Sequence, residues 1–258
     1  MFPIRDHNPS GRTPYVTYGL IVANIAIFLS YWSLFQQPRA LNAFFVDFAL
    51  IPALVSEGAG LPGFVTSMFL HGGLAHLAGN MLFLFIFGDN IEDEMGHLRF
   101  LGFYLACGLL AGVTHYAMAP FSPVPTVGAS GAIAGVMGGY LLLFPKARID
   151  ILIILVIIFK VLPVPAWIML AVWFALQLFG GFGSGPGEAG VAYWAHAGGF
   201  IAGMALTVPL WLKRGGPAFW NRTHGHPPHP EARYVRGRTH VPRAGGRRKR
   251  GSGPWSRR

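Results

Sequence analysis

Residues 127–139 read VGASGAIAGVMGG, and residues 195–203 read AHAGGFIAG. Both stretches repeat small residues at a spacing of four, as in Gly131 and Gly135 or Gly199 and Gly203. In membrane helices this spacing lets two backbones approach closely. The two stretches therefore predict a pair of tightly packed helices inside a membrane.

The composition agrees with a membrane protein. The chain has 258 residues, of which 53% are hydrophobic and 12% are charged, about half the charged fraction of a typical soluble domain. A spanning helix needs about 20 mostly apolar residues. The apolar runs predict an all-α polytopic membrane protein with six transmembrane helices, at about 17–35, 64–88, 98–118, 128–144, 165–180 and 191–212.

Residues 150–162 (DILIILVIIFKVL) are apolar but short for a span. They are interpreted as an interfacial or re-entrant segment, or alternatively as the first half of the fifth helix. The predicted organisation is a cytoplasmic N-terminal segment (1–16), a six-helix membrane domain (17–212) and a basic tail (213–258).

Charge is distributed unevenly. Residues 213–258 hold 13 of the 20 Lys and Arg and one of the 10 Asp and Glu, which leaves seven basic and nine acidic residues in the rest. The Gly-, Pro- and Arg-rich tail is predicted to be disordered and able to contact anionic lipid, with no specific nucleic acid as partner. Because Lys and Arg are enriched in cytoplasmic loops, we expect both termini to be cytoplasmic. The expected location is a bacterial plasma membrane.

Polar residues inside the predicted spans are candidates for function, because they are costly in a membrane. Ser130 opens the fourth span and His196 lies near the start of the sixth, beside the small-residue seam. A packed pair of helices would bring the two side chains within hydrogen-bond distance. Ser130 and His196 are therefore the candidate nucleophile and general base, in the outer half of the membrane.

The second span contributes His76 and Asn80, which are four residues apart and share a helix face. Their N–H groups, with the free backbone N–H of Ser130, are the donors that an oxyanion hole needs. His71 is expected to diverge from His76 by about 140° around one helix and to be structural or a rim donor. Asn24 and Gln177 are interpreted as interhelical hydrogen bonders.

No metal or disulfide is expected. The single cysteine, Cys107, excludes an intrachain disulfide and a zinc site built on cysteine pairs. The histidines of the second span lack the spacing and the intervening Glu of a helical zinc motif.

Three segments together carry a resemblance: HGGLAHLAGN at 71–80, GASG at 128–131 and AHAGGFIAG at 195–203. In this order, residues 17–212 resemble the rhomboid intramembrane serine proteases. The resemblance implies Ser130 and His196 as a dyad without Asp, and His76 and Asn80 as oxyanion-stabilising residues. Gly128 matches the glycine that opens the family's G-x-S-G motif. Where some members carry a bulky aromatic that packs on the catalytic His, this chain has Ala134.

The resemblance further implies cleavage of single-span membrane proteins in or near their transmembrane helix, with no cofactor. The active site would open to the outer side of the membrane. Two other interpretations stay open: a non-catalytic adaptor on the same fold, and a transporter or channel. A transporter would need a polar pathway to the inner side, whereas the strong polar candidates all fall in the outer half.

Overall fold

The computed structural model describes residues 2–155, 158–183 and 191–232. This part of the chain is mostly helical. Its α-helices are α1 (Tyr15–Ser30), α2 (Pro38–Phe48), α3 (Pro52–Ser56), α4 (Gly63–Thr66), α5 (Leu74–Met95), α6 (His97–Met118), α7 (Ser130–Leu143), α8 (Ala166–Gly183), α9 (Tyr193–Lys213) and α10 (Pro217–Thr223). Short 3-10 helices cover Trp32–Gln36 and Ser67–Phe69.

Four helices, α5, α6, α8 and α9, are long and apolar enough to cross a membrane. Helices α1 and α7 are apolar but shorter. At 1.5 Å per residue, the 14 residues of α7 extend only about 21 Å. The protein is therefore an integral membrane protein by the composition of its helices, and the count of six spans stays a prediction.

Helix α7 is the centre of the bundle, with 11 of its 14 residues buried. Its glycines bring it into backbone contact with α9. A Cβ atom on Gly199 would collide with the carbonyl oxygen of Gly131, and one on Gly203 with the carbonyl oxygen of Gly135. The small-residue spacing thus produces the close helix pair that the sequence predicts.

A three-stranded antiparallel sheet corrects the all-α prediction. Strands β2 (Arg148–Leu155) and β3 (Ile158–Pro165) form a hairpin, and β1 (Phe2–Asp6) pairs with the other edge of β2. Residues 150–162 are thus not the first half of a helix. Their β-branched side chains favour strands, and Pro163 disfavours a helix while being tolerated in β3, which is an edge strand.

Ion pairs and hydrogen bonds hold the sheet to the N-terminal segment. Asp150 accepts a hydrogen bond of 2.7 Å from Arg5 Nε, and its other oxygen lies 2.9 Å from His7 Nε2. Burial raises the pKa of Asp150, but the contacts with His7 and Arg5 outweigh burial and hold that pKa below its ordinary value. Asp150 is therefore a charged anchor for the first residues of the chain.

A second carboxyl group, that of Asp6, lies between β1 and the bundle. The hydroxyl of Tyr140 donates a hydrogen bond of 2.8 Å to Asp6 Oδ2. Burial and the nearby carboxylate of Asp89 raise the pKa of Asp6 to about 8, against the opposing effect of the Tyr140 hydrogen bond. Asp6 thus holds its proton over most of the neutral range.

The basic tail is ordered in its first part, which corrects the prediction of disorder as far as residue 232. Phe219 in α10 is buried, and Trp220 donates a hydrogen bond of 2.9 Å to the carbonyl of Leu142. The backbone of Ala232 donates one of 2.9 Å to the carbonyl of His7. Apolar anchors stabilise this segment despite its polar composition. Residues 233–258 lie outside the described residues.

Candidate active site

Ser130 is the first residue of α7, so its backbone N–H has no partner within the helix. The preceding loop turns at Gly128, whose φ of 135° lies in a region that L side chains rarely adopt. The Gly128 N–H donates to the carbonyl of Ser67 at 2.9 Å. This turn presents the Ser130 side chain at the end of the helix.

His196 is in the first turn of α9, directly beside the α7–α9 contact. Its Nε2 lies 2.7 Å from Ser130 Oγ. The glycine contacts between the two helices permit this approach, because a larger residue at Gly199 would push them apart. The two residues that the sequence singles out as nucleophile and base are thus brought together.

The other ring nitrogen of His196 also has a partner. Nδ1 lies 2.8 Å from Oε1 of Gln177 in α8, and Gln177 Nε2 donates a hydrogen bond of 3.2 Å to the carbonyl of Trp173. The interhelical hydrogen bond predicted for Gln177 is confirmed, whereas Asn24 bonds to the Leu20 carbonyl within its own helix. The sequence did not indicate His196 as the partner of Gln177.

An aromatic ring borders His196, but it does not come from α7. Ala134 is fully buried and small. The ring of Trp173 in α8 lies 5.9 Å from the His196 ring at an interplanar angle of 31°. Helix α8 therefore supplies both a hydrogen bond and a ring contact to His196.

His76 and Asn80 lie in the first two turns of α5 and face the same cavity as Ser130. His76 Nδ1 accepts a long hydrogen bond of 3.4 Å from the Gly72 N–H. With Nδ1 as acceptor, a neutral ring carries its hydrogen on Nε2. Among the described residues, the Asn80 amide nitrogen is buried without a hydrogen-bond partner. Both groups are therefore available as donors.

Gly128 lies close to both the donor and the nucleophile. A Cβ atom built on Gly128 would lie 2.9 Å from His76 Nε2 and 3.3 Å from Ser130 Oγ, so a side chain there would collide with the His76 ring. The absence of a side chain at Gly128 thus lets His76 and Ser130 border the same part of the cavity. Acyl transfer requires a nucleophile and oxyanion donors around one reacting carbonyl group.

His71 corrects one expectation. Helix α5 begins at Leu74, so His71 lies in the preceding loop and the rotation expected for a single helix does not apply. Its ring is fully buried and packs edge-on against the His76 ring with centroids 5.2 Å apart. Tyr31 holds the loop, since its hydroxyl donates to the His71 carbonyl at 3.0 Å.

One cavity of about 790 Å³ is lined by all five candidate residues, His76, Asn80, Gly128, Ser130 and His196. His115, near the end of α6, also lines it and lies 2.9 Å from Thr126 Oγ1 in the loop before Ser130. The sequence did not predict this contact, because Thr126 falls in a loop without a motif. Among the residues that the structure describes, no group of three or more His, Cys, Asp or Glu could hold a metal ion.

A family model described as the Rhomboid domain matches residues 59–213, well over half of the chain. The chain belongs to the rhomboid family. Rhomboid proteins are known as intramembrane proteases, and some relatives are inactive. The match includes all five candidate residues: His76, Asn80, Gly128, Ser130 and His196.

Curated relatives agree with this assignment. The chain is 44% identical over 77 residues to the rhomboid protease GluP of Bacillus subtilis, which covers 30% of this chain and 15% of GluP. It is 30% identical over 195 residues to the mitochondrial rhomboid protein 1 of Saccharomyces cerevisiae, which covers 73% of this chain and 51% of that protein. RHOMBOID-like protein 12 of Arabidopsis thaliana, also mitochondrial, is 30% identical over 151 residues, which covers 52% of this chain and 43% of that protein.

The chain thus spans about half or less of the length of these relatives. Because bacterial and mitochondrial rhomboids both match, the bacterial plasma membrane and the orientation within it stay predictions.

Proposed function

We propose that this rhomboid protein is a serine endopeptidase that cleaves membrane proteins within or near a transmembrane helix. The observation that carries the proposal is the 2.7 Å contact between Ser130 Oγ and His196 Nε2 at a cavity in a bundle of apolar helices. A serine hydroxyl is a weak nucleophile until a neighbouring base takes its proton.

The first step forms an acyl-enzyme. Ser130 Oγ attacks the carbonyl carbon of the scissile bond while His196 Nε2 accepts the hydroxyl proton. The tetrahedral intermediate carries a negative charge on the former carbonyl oxygen. When it collapses, the C–N bond breaks and His196 returns the proton to the leaving amine. The product is an ester on Ser130 and a released peptide amine.

The oxyanion is expected to form in the part of the cavity that Ser130, His76 and Asn80 border. His76 Nε2–H, the unpartnered Asn80 amide and the Ser130 backbone N–H can each donate to it. A cavity among apolar helices holds less water than bulk solvent does, so fixed donors stabilise the charge more strongly there.

The second step hydrolyses the ester. His196 removes a proton from a water molecule, the water oxygen attacks the ester carbonyl, and the same donors stabilise the second intermediate. The proton then returns to Ser130 Oγ, which restores the hydroxyl and releases the new carboxylate. Every group that this mechanism uses comes from the chain or from water.

The partners that fit this site are single-span membrane proteins, which reach it through lipid. Their helix must unwind locally, because backbone bonds in a helix are not accessible to a nucleophile. By the distribution of Lys and Arg, both termini are cytoplasmic and the cavity opens to the outer side. Contact of the tail with anionic lipid is part of the same proposal.

The test uses the purified full chain with a fluorophosphonate probe and tagged single-span substrates. Ser130→Ala and His196→Ala should each lower cleavage by about 10⁴-fold or more, and the double variant should be no worse, because the two groups act together. Ser122→Ala is the matched control, since Ser122 lines the same cavity. Cleavage by Ser130→Ala at the wild-type rate would refute the proposal. A folded wild-type protein that neither reacts with the probe nor cleaves a substrate would favour a non-catalytic adaptor on the same fold.

A further inference from the structure

Gln177 occupies an unusual position for a lipid-embedded amide. It lies in α8, the least buried of the four long helices, yet the residue is only 8% exposed. It points away from lipid and towards the Ser130–His196 pair. Polar groups are rare inside membrane helices and usually have a specific partner there.

The orientation of the amide follows from its two contacts. The Trp173 carbonyl can only accept a hydrogen bond, so the Gln177 nitrogen must face it at 3.2 Å. Gln177 Oε1 therefore faces His196 Nδ1 at 2.8 Å. Because that oxygen can only accept, Nδ1 must carry a hydrogen.

The consequence for His196 is a defined tautomer. With a hydrogen on Nδ1, a neutral imidazole has its lone pair on Nε2, the atom that lies 2.7 Å from Ser130 Oγ. Only this tautomer can accept the serine proton. When it does, the ring becomes positively charged, and the hydrogen bond from Nδ1 to Oε1 strengthens.

We propose that Gln177 is a positioning residue that completes a Ser130–His196–Gln177 triad, holding His196 in the tautomer and orientation that activate Ser130. The inference rests on the proposed function and deepens it. Gln177 has the same geometric role as the carboxylate of other serine hydrolases. A neutral amide performs this role without placing an unpaired charge in the membrane, where burial of a carboxylate is costly.

The arrangement also explains how His196 is fixed without an aromatic residue at Ala134. Trp173 lies one helical turn before Gln177, so its carbonyl orients the amide while its ring contacts the His196 ring. One turn of α8 thus restrains both the hydrogen bonding and the rotation of the imidazole.

Two substitutions separate positioning from packing. Gln177→Leu keeps a side chain of similar size and removes the oxygen that accepts the hydrogen bond from His196. Its kcat should fall about 10- to 100-fold, which is the range for losing a hydrogen bond to a charged group. Its KM should stay close to that of wild type. Gln177→Glu keeps an acceptor, so it should retain most of the activity that Gln177→Leu loses. The acid limb of its pH–rate profile should move to higher pH, because a carboxylate stabilises the protonated imidazole.

Two measurements make the outcome decisive. Leu170→Ala controls for loss of packing, because it removes a fully buried side chain near the N-terminal end of α8. This variant should have a lower melting temperature and an unchanged pH–rate profile. In ¹⁵N spectra of histidine-labelled protein at neutral pH, His196 should carry its hydrogen on Nδ1 in wild type and as a mixture of tautomers in Gln177→Leu.

The spectrum reports the tautomer without any substrate, so the two proposals can fail separately. An inactive wild type whose His196 carries its hydrogen on Nδ1 would refute the protease function and leave the positioning by Gln177 in place. Folded Gln177→Leu with wild-type kcat and an unchanged His196 spectrum would overturn the triad.

Discussion

Replacing Gly128 with alanine tests whether this glycine keeps the His76 ring in place as an oxyanion donor. The added methyl carbon would lie 2.9 Å from His76 Nε2, 3.0 Å from His76 Cε1 and 3.3 Å from Ser130 Oγ. Carbon atoms in van der Waals contact are ordinarily separated by about 3.5–4.0 Å. The His76 ring must therefore retreat by roughly half an ångström, which moves its Nε2–H away from the place where it would meet the substrate oxygen.

The expected loss can be estimated from these distances. Displacing or blocking one oxyanion donor lowers kcat by about 10²–10³-fold, or roughly 2.7–4 kcal/mol of transition-state stabilisation. Alanine at a φ of 135° also adds backbone strain, which costs about 1–3 kcal/mol of folding stability. Gly128→Ala should thus lose both turnover and thermal stability.

A control separates the two effects. Gly58→Ala places a methyl group at another positive φ, 82°, where nothing lies within 4 Å. It should lower the melting temperature and leave turnover unchanged. The assay is kcat per folded molecule, with the rate of fluorophosphonate labelling measured on the same preparations.

A double variant shows through which group the methyl acts. If the methyl displaces His76, Gly128→Ala combined with His76→Ala should be little worse than His76→Ala alone, because the collision is gone. Wild-type turnover in folded Gly128→Ala would refute the idea that this glycine keeps the His76 donor in place.

Three further predictions concern other parts of the molecule. Asn80→Ala and His76→Ala should lower kcat by about 10²–10³-fold yet still react slowly with a fluorophosphonate; early melting with wild-type turnover would mean that both residues are structural. Deleting 233–258 should leave turnover within a fewfold, since no proposed site residue lies there. Deleting 215–258 should also lower the melting temperature, because it removes the buried ring of Phe219 in α10. Equal melting temperatures for the two deletions would show that the packing of α10 on the bundle does not stabilise the protein. The unfolding free energy of wild type should fall as pH rises from about 4 to about 8. The reason is that Asp6 keeps a proton in the folded state, whereas the unfolded chain releases that proton above the ordinary pKa of 3.8. Asp6→Asn should flatten this pH dependence in thermal melts, and an unchanged slope would show that another group causes it.

Predictions from the sequence are correct where the residue pattern of one segment shows what that segment contacts. The spacing of Gly131 and Gly135 shows that one face of α7 approaches another backbone, and the matching spacing of Gly199 and Gly203 identifies that backbone. From this pair alone, the approach of Ser130 and His196 could be predicted. The apolar runs likewise identified an integral membrane protein before any tertiary contact was known.

Element boundaries decided the places where sequence reasoning failed. The expected separation of His71 and His76 assumed one helix through both, but α5 begins at Leu74. The apolar run at 150–162 is equally compatible with a strand or a short helix when viewed alone. The run pairs with itself as the β2–β3 hairpin. Its other partner, strand β1, lies more than 140 residues away in the chain, and the local sequence pattern gives no sign of such a partner.

The sequence by itself determined the rhomboid family, the membrane setting and the five candidate residues, because motifs and periodicity are properties of short segments. Only the tertiary structure decided the sheet, the docking of α10 and the partner of His196. Gln177 meets His196 because the packing of α8 against α9 fixes how α8 is rotated about its axis. That rotation depends on side chains from several helices at once, so no single stretch of sequence contains it.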